Sequence, residues 1–165
     1  MTANPTACLL IIGNEVLSGR TRDANLQFLA TRLGELGIPL REARVIPDVP
    51  ETIIGTVNAC RTRFTHVFTT GGIGPTHDDI TSECIARAFG VPWEVHEETR
   101  ILMAADYARR DPPVEFNAAR LRMATALPRS TGAIAAGRVR GRDPATQCDI
   151  EVMAAKSVSG RRWQS

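Results

Sequence analysis

The sequence predicts a three-layer α/β/α domain with a mostly parallel central sheet, and three observations predict it. A short continuous apolar run, Ala7–Ile12, ends at Gly13, as a strand buried on both faces of a sheet does. Leu26, Leu29, Leu33 and Leu36 then recur at three- and four-residue steps, the spacing of one helix face. Strand-like and helix-like segments go on alternating to about residue 90, the order that joins parallel strands by right-handed crossovers with helices on both faces.

The elements follow in order. Asp23 to Gly37 reads as the first helix, with Asp23 placed to cap it and Gly37 to stop it. Ile38–Ile46 reads as a weaker second strand whose apolar end is Val45 and Ile46. Asp48 and Pro50 open a helix that carries Ile53, Val57 and Cys60 on one face; Pro50 suits the first turn, where a missing N–H leaves no bond unmade. Thr65–Thr70 is a third strand by its β-branched and aromatic content. A helix from about Ile80 to Phe89 stops at Gly90. Two more helices are expected, His96–Arg110 and Glu115–Ala126, separated by Asp111-Pro112-Pro113. After about residue 128 the periodicity fails. Arg129–Gln147 is rich in Arg, Gly and Ala, and only Ile150–Ala155 reads as a strand again. The expected organisation is an α/β domain over residues 1–128, followed over 129–165 by an atypical basic tail or a divergent end of the same domain.

Composition excludes several classes. The 165 residues are 43% hydrophobic and 23% charged, near globular averages, which excludes bulk disorder. Thirteen glycines and ten prolines are too few for a fibrous chain. Ala7–Ile12 is far shorter than the roughly 20 apolar residues of a membrane span, and no basic segment precedes it as in a signal peptide, so the expected compartment is the cytoplasm with no membrane partner. The net charge of +2 hides an asymmetry: residues 1–128 carry 13 basic and 15 acidic groups, residues 129–165 seven basic and three acidic. No aromatic side chains alternate with the tail arginines, so a solvated tail is expected rather than a nucleic-acid surface. The cysteines at 8, 60, 84 and 148 are separated by 52, 24 and 64 residues, which fits no zinc motif and no small disulfide framework. The first three lie in apolar stretches and read as buried thiols, with Cys148 set apart.

In a parallel sheet, ligands bind beyond the carboxyl ends of the strands. Three loops fall there, and they hold most of the unusual chemistry. In Gly71–Asp79, the glycines at 71, 72 and 74 let the backbone approach a ligand, and their amides before a helix make an anion cradle. Asp78 and Asp79 stand at that helix start, where Asp79 suits an N-cap; two carboxylates beside a phosphate cradle equally suit Mg²⁺. In Gly13–Arg22, Asn14 and Glu15 emerge at the same edge, and Arg20 and Arg22 either meet phosphate or are solvated. Asp48 either caps the next helix or belongs to the shared edge. His77 is a solvated loop residue or a base; His66 and His96 read as structural, and Phe89 and Trp93 as packing residues.

Taken together, the strings Ile11-Ile12-Gly13-Asn14-Glu15-Val16-Leu17-Ser18-Gly19, Val45-Ile46-Pro47-Asp48 and Thr69-Thr70-Gly71-Gly72-Ile73-Gly74-Pro75-Thr76-His77-Asp78-Asp79-Ile80-Thr81 resemble a known domain. It is the molybdopterin-binding domain shared by CinA-type competence/damage-inducible proteins, by eukaryotic FAD synthases, and more distantly by MogA and MoaB. Phe116–Ala124 adds support, and the resemblance covers about residues 6–128. It implies binding of a pterin or an adenine nucleotide pyrophosphate with Mg²⁺. It implies Asp48 and Asp79 as catalytic and metal-holding residues, and Asp78, from the residue reading above, completes the expected metal set. It implies Gly13, Asn14, Glu15, Ser18, Gly71, Gly72, Gly74, Pro75 and Thr76 as the ligand contacts. Two chemistries occur among such relatives, adenylyl transfer to molybdopterin and metal-dependent hydrolysis of ADP-ribose pyrophosphate; a non-catalytic binding domain is the alternative. Such relatives are dimers or trimers, so a homo-oligomer is expected. Two departures stand out. Asn14 takes the place of the aspartate usual in the first loop. Arg129–Gln147 lacks the family's N-P-x-S-x-A-P-G-F stretch, a pattern that fits a locally shifted reading frame.

Overall fold

The first strand, β1 (Ala7–Ile12), is buried along its whole length. Its alternate side chains face two separate cores, which is why the sequence shows no polar alternation there. In the computed structural model, the residues described are 4–126, 138–142, 146 and 148–153. The chain continues through α1 (Asn14–Leu17), α2 (Asn25–Glu35), β2 (Leu40–Ile46), α3 (Pro50–Arg61), β3 (His66–Thr70) and α4 (Thr81–Phe89). It then forms β4 (Glu94–Val95), α5 (Glu97–Ala108), α6 (Ala118–Leu121), a 3₁₀ turn (Arg122–Ala124), β5 (Thr125–Ala126), β6 (Arg138–Arg142) and β7 (Asp149–Met153). The central sheet has the order β2-β1-β3-β7-β6. Its first four strands are mutually parallel, and β6 runs antiparallel to β7 at the edge.

Helices cover both faces. On one side Leu29 and Leu33 of α2 pack on Ala7, Leu9, Ile11 and Phe68. On the other, Ile53, Val57 and Cys60 of α3 join Cys84, Ile85, Ala86 and Ala88 of α4 over Cys8, Leu10 and Ile12. Each fully buried aliphatic side chain in these layers contributes about 1.5–3 kcal/mol of transfer free energy. Pro50 starts α3 at the position its missing N–H permits, and Gly90 closes α4 in the left-handed conformation (φ 65°).

Several expectations are corrected. The leucine stripe is narrower than its spacing: Leu29 and Leu33 are buried, whereas Leu26 and Leu36 are exposed. Asp23 does serve the start of α2, accepting from the Leu26 amide at 2.8 Å. The loop expected over Gly13–Arg22 contains α1. The helix expected over Glu115–Ala126 is broken up, for two reasons. The Asn117 side chain accepts from the Arg120 amide, fixing a later start, and Thr125 and Ala126 pair antiparallel with β4. His96 caps α5 through its ring nitrogen, consistent with a structural role. Beyond residue 128, a strand (β6) forms within the stretch expected to be patternless. Its partner β7 supplies the order through the ladder, which apolar periodicity does not report. Residues 129–137, 143–145 and 147, most of the Arg/Gly/Ala-rich stretch, lie outside the described residues. Cys148, set apart by sequence, is buried.

Candidate functional site

Parallel pairing brings the carboxyl ends of β1, β2 and β3 side by side: Ile12 lies opposite Ile46, and Ile11 opposite Thr70. The three loops that leave these ends therefore share one rim. The Gly13 amide donates to the Ile46 carbonyl at 3.0 Å, and the Asn14 amide donates to Asp48 Oδ2 at 3.0 Å. Asp48 thus ties the second loop to the first. It does not cap α3, whose N-cap is Val49.

The third loop joins by close approach. A Cβ on Gly71 would lie 1.9 Å from the Ile12 carbonyl oxygen, and Gly71 has φ +95°. No other residue fits there. A Cβ on Gly72 would meet Thr81 Oγ1 at 2.3 Å. Thr81 is the positioning residue that sequence reasoning missed. It is fully buried, its Oγ1 donates to the Gly71 carbonyl at 2.9 Å, and its amide donates to the Gly72 carbonyl at 3.0 Å. Its bond to Gly71 spans ten residues, from the first residue of α4 back to the end of β3, so no local spacing rule signals it.

Asp79 accepts from the Thr76 amide at 2.9 Å and from Thr76 Oγ1 at 2.5 Å, and a Cβ on Gly74 would meet its carboxylate. It closes the loop on itself and is not the N-cap of α4, which is Ile80. The carboxylate prefers the Thr76 donors because they form a local turn. Among the described residues, the partly exposed Gly72, Ile73 and Gly74 donate no backbone hydrogen bond to a protein acceptor. Pro75 and Thr76 are exposed beside them.

In the first loop, Glu15 folds back on Gly13, with both carboxylate oxygens within 2.7 Å of the place a Cβ would take. Ser18 donates to the Glu15 carbonyl and accepts from Arg20 Nε at 3.0 Å. Arg20 and Arg22 are exposed. His77 Nε2 lies 2.8 Å from Asp78 Oδ1, and both side chains are largely exposed.

Asp48, Asp78 and Asp79 were expected as one metal set. The structure does not gather them: among the described residues, the one trio of potential ligands within a common 4.8 Å is Cys8, Glu42 and Cys60, elsewhere in the fold. Asp48 and Asp79 each hold backbone donors at the rim, while Asp78 pairs with His77. This arrangement is not a protein-only cage. It does match the habit of Mg²⁺, which takes one or two carboxylates and completes its shell with water and phosphate oxygens. With those amides on a loop of the same sheet edge as the carboxylates, the donor set suits a phosphate-bound cation.

No helix among the described residues is long and apolar enough to cross a membrane. The chain is similar to a probable FAD synthase of Caenorhabditis elegans, 41% identical over 100 residues, which are 61% of this chain and 19% of that protein. It is similar to a CinA-like protein of Gloeobacter violaceus, 37% identical over 110 residues, 67% of this chain and 26% of that protein. The chain thus spans a fifth to a quarter of the length of these two relatives, 19% and 26%. In fold it matches the CinA protein of Thermoplasma acidophilum, with TM-score 0.72, 23% identity, and coverage of 94% of this chain and 91% of that one. It also matches the molybdopterin biosynthesis enzyme MoaB of Thermus thermophilus, with TM-score 0.60, 17% identity, and coverage of 93% and 82%. Residues 8–157 match the family described as probable molybdopterin binding domain, and the chain belongs to that family.

Proposed function

We propose that the rim binds the diphosphate of a molybdopterin or adenine nucleotide together with Mg²⁺. The observation that carries this reading is that two carboxylates held by backbone donors, Asp48 and Asp79, and the Gly72, Ile73 and Gly74 amides, which have no protein acceptor among the described residues, all belong to loops leaving the same sheet edge. Amides aimed at one place stabilise anionic oxygens without reorganising, and a cation between phosphate and carboxylate neutralises the remaining charge. Bound there, Mg²⁺ supplies Lewis-acid polarisation of a phosphoryl oxygen. This chain's own part is to hold the phosphates through the loop amides, to orient the cation through Asp48 and Asp79, and to keep Asp79 in place through Thr76. Two reactions fit such a site, adenylyl transfer and pyrophosphate hydrolysis. The relatives named above support the pterin or nucleotide as ligand. The buried, free cysteines suit a reducing, cytoplasmic setting, and a dimer or trimer is the assembly proposed.

The second reading is a binding domain without catalysis. It is favoured by the neutral Asn14 at the first loop and by Asp48, Asp78 and Asp79 not forming a close ligand trio among the described residues. Calorimetry with molybdopterin, ATP and ADP-ribose, each with and without Mg²⁺, tests the site, and product analysis of the same mixtures separates the readings. Mg²⁺-dependent binding with turnover supports the enzyme; the same binding without products supports the binding domain. Absence of binding by all three ligands overturns both.

A further inference from the structure

A second cluster lies at the other end of the sheet. Cys8 is near the start of β1, five residues before the rim, or about 16 Å along an extended strand. In the parallel register Cys8 lies beside Glu42 of β2, and the last turn of α3 lays Cys60 over both. The two Sγ atoms are 3.6 Å apart, and both cysteines are fully buried. A carboxylate oxygen of Glu42 completes a trio whose ligand atoms all lie within 4.8 Å of one another.

We propose that Cys8, Cys60 and Glu42 form a binding site for a thiophilic divalent cation of the Zn²⁺ class, with a fourth position open to water or an added ligand. Tetrahedral zinc with Zn–S bonds of about 2.3 Å spaces two sulfurs by about 3.8 Å, close to the spacing already present. Such a site needs a carboxylate held in place by outer partners. Glu42 has two: Arg44 Nε on one oxygen, and Arg63 Nη2 at 3.2 Å from the other. Each oxygen keeps a lone pair for the metal. The ligands must also be deprotonated. Metal binding at this trio therefore releases the thiol protons of Cys8 and Cys60. Glu42 is the half-exposed member and marks the entry path. Sequence spacing could not reveal the trio, because β1, β2 and α3 contribute one ligand each.

The test uses the full, reduced, metal-stripped chain with Cd²⁺ alone as probe, read by thiolate-to-metal charge-transfer absorption and by competition with Zn²⁺. One Cd²⁺ per chain is expected, with Cys8 and Cys60 alkylated more slowly than in the metal-free chain under the same mildly denaturing conditions, and Cys84 alkylated at an unchanged rate. Glu42→Gln, at an edge strand, should weaken binding about 10- to 100-fold. Cys60→Ser should abolish it and Cys84→Ser should leave it unchanged. If Cys60→Ser fails to fold, the alkylation map of the unaltered chain and Glu42→Gln decide. Absence of Cd²⁺ uptake by the natively folded chain overturns the proposal. So does uptake that leaves the alkylation rates of Cys8 and Cys60 the same as in the metal-free chain. Recovery only of a Cys8–Cys60 disulfide, with no Cd²⁺ bound after reduction, overturns it in favour of a redox pair.

Discussion

Asp48 Oδ2 accepts the Asn14 amide at 3.0 Å, so a single carboxylate joins loops that leave neighbouring parallel strands. Removing it should have two separable effects. Asp48→Ala leaves that amide without its partner and should lower stability by about 1–2 kcal/mol. Asp48→Asn keeps an acceptor oxygen and should restore most of that loss, yet it removes the charge a cation needs. Urea unfolding should therefore distinguish the two variants, while calorimetry should find Mg²⁺-dependent ligand binding weakened in both. Asp48→Asn with unaltered binding would show that Asp48 does not act on the ligand through its charge.

Glycine substitutions sort by what a new Cβ meets. Gly71→Ala sets a methyl against the Ile12 carbonyl in a left-handed conformation, and it should destabilise by roughly 3 kcal/mol or more. Gly55→Ala, on an exposed part of α3 with nothing within 4 Å, should stabilise by about 0.5–1 kcal/mol. Thermal melts of the two variants should move in opposite directions.

The contrast between those glycines marks where sequence reading reaches its limit. Gly71 was legible as a turn residue next to a strand end, but its actual constraint is a carbonyl on another strand. β1 was legible because burial on both faces leaves an unbroken apolar run, and α3 because Pro50 and the Ile53, Val57 and Cys60 face obey local rules. β6 and the β4–β5 ladder were not legible, since their order comes from distant partners. The rim itself was legible as three loops on one sheet edge. Its internal wiring was not: Asp48 and Asp79 each had a simpler role available as a helix cap, and both are held by other donors.

Asp79 supplies a third test. Because it bonds Thr76 and does not cap α4, Asp79→Asn should change global stability by less than about 1 kcal/mol, a surface-scale effect. Ligand-dependent turnover, where present, should be lost, and Mg²⁺-dependent binding should weaken. Thr76→Val removes one of the two donors to the same carboxylate and should weaken binding less. Equal ligand affinity in Asp79→Asn and the parent chain would remove Asp79 from the site.

The buried thiol pair predicts how stability depends on pH in the metal-free, reduced chain. The Cys60 thiol is lowered from 9.0 to about 7, first by the hydrogen bond donated from Cys8. An acid whose value is depressed on folding stabilises the fold above its unfolded value, and that contribution is lost as pH falls through the folded value. Unfolding free energy should therefore rise between about pH 7 and about pH 9, by an amount of order 1–3 kcal/mol. The Cys8 thiol is raised, chiefly by the bond it donates to Cys60, and burial raises Cys84. Both hold protons that the unfolded chain releases, so stability should turn down again above about pH 9. Urea unfolding at fixed ionic strength across this range reads the curve directly. Cys60→Ala should flatten the rising limb, and Cys84→Ala should soften only the decline. A parent chain with no rise on going from about pH 7 to about pH 9 would show that Cys60 is not held as a thiolate by its neighbours.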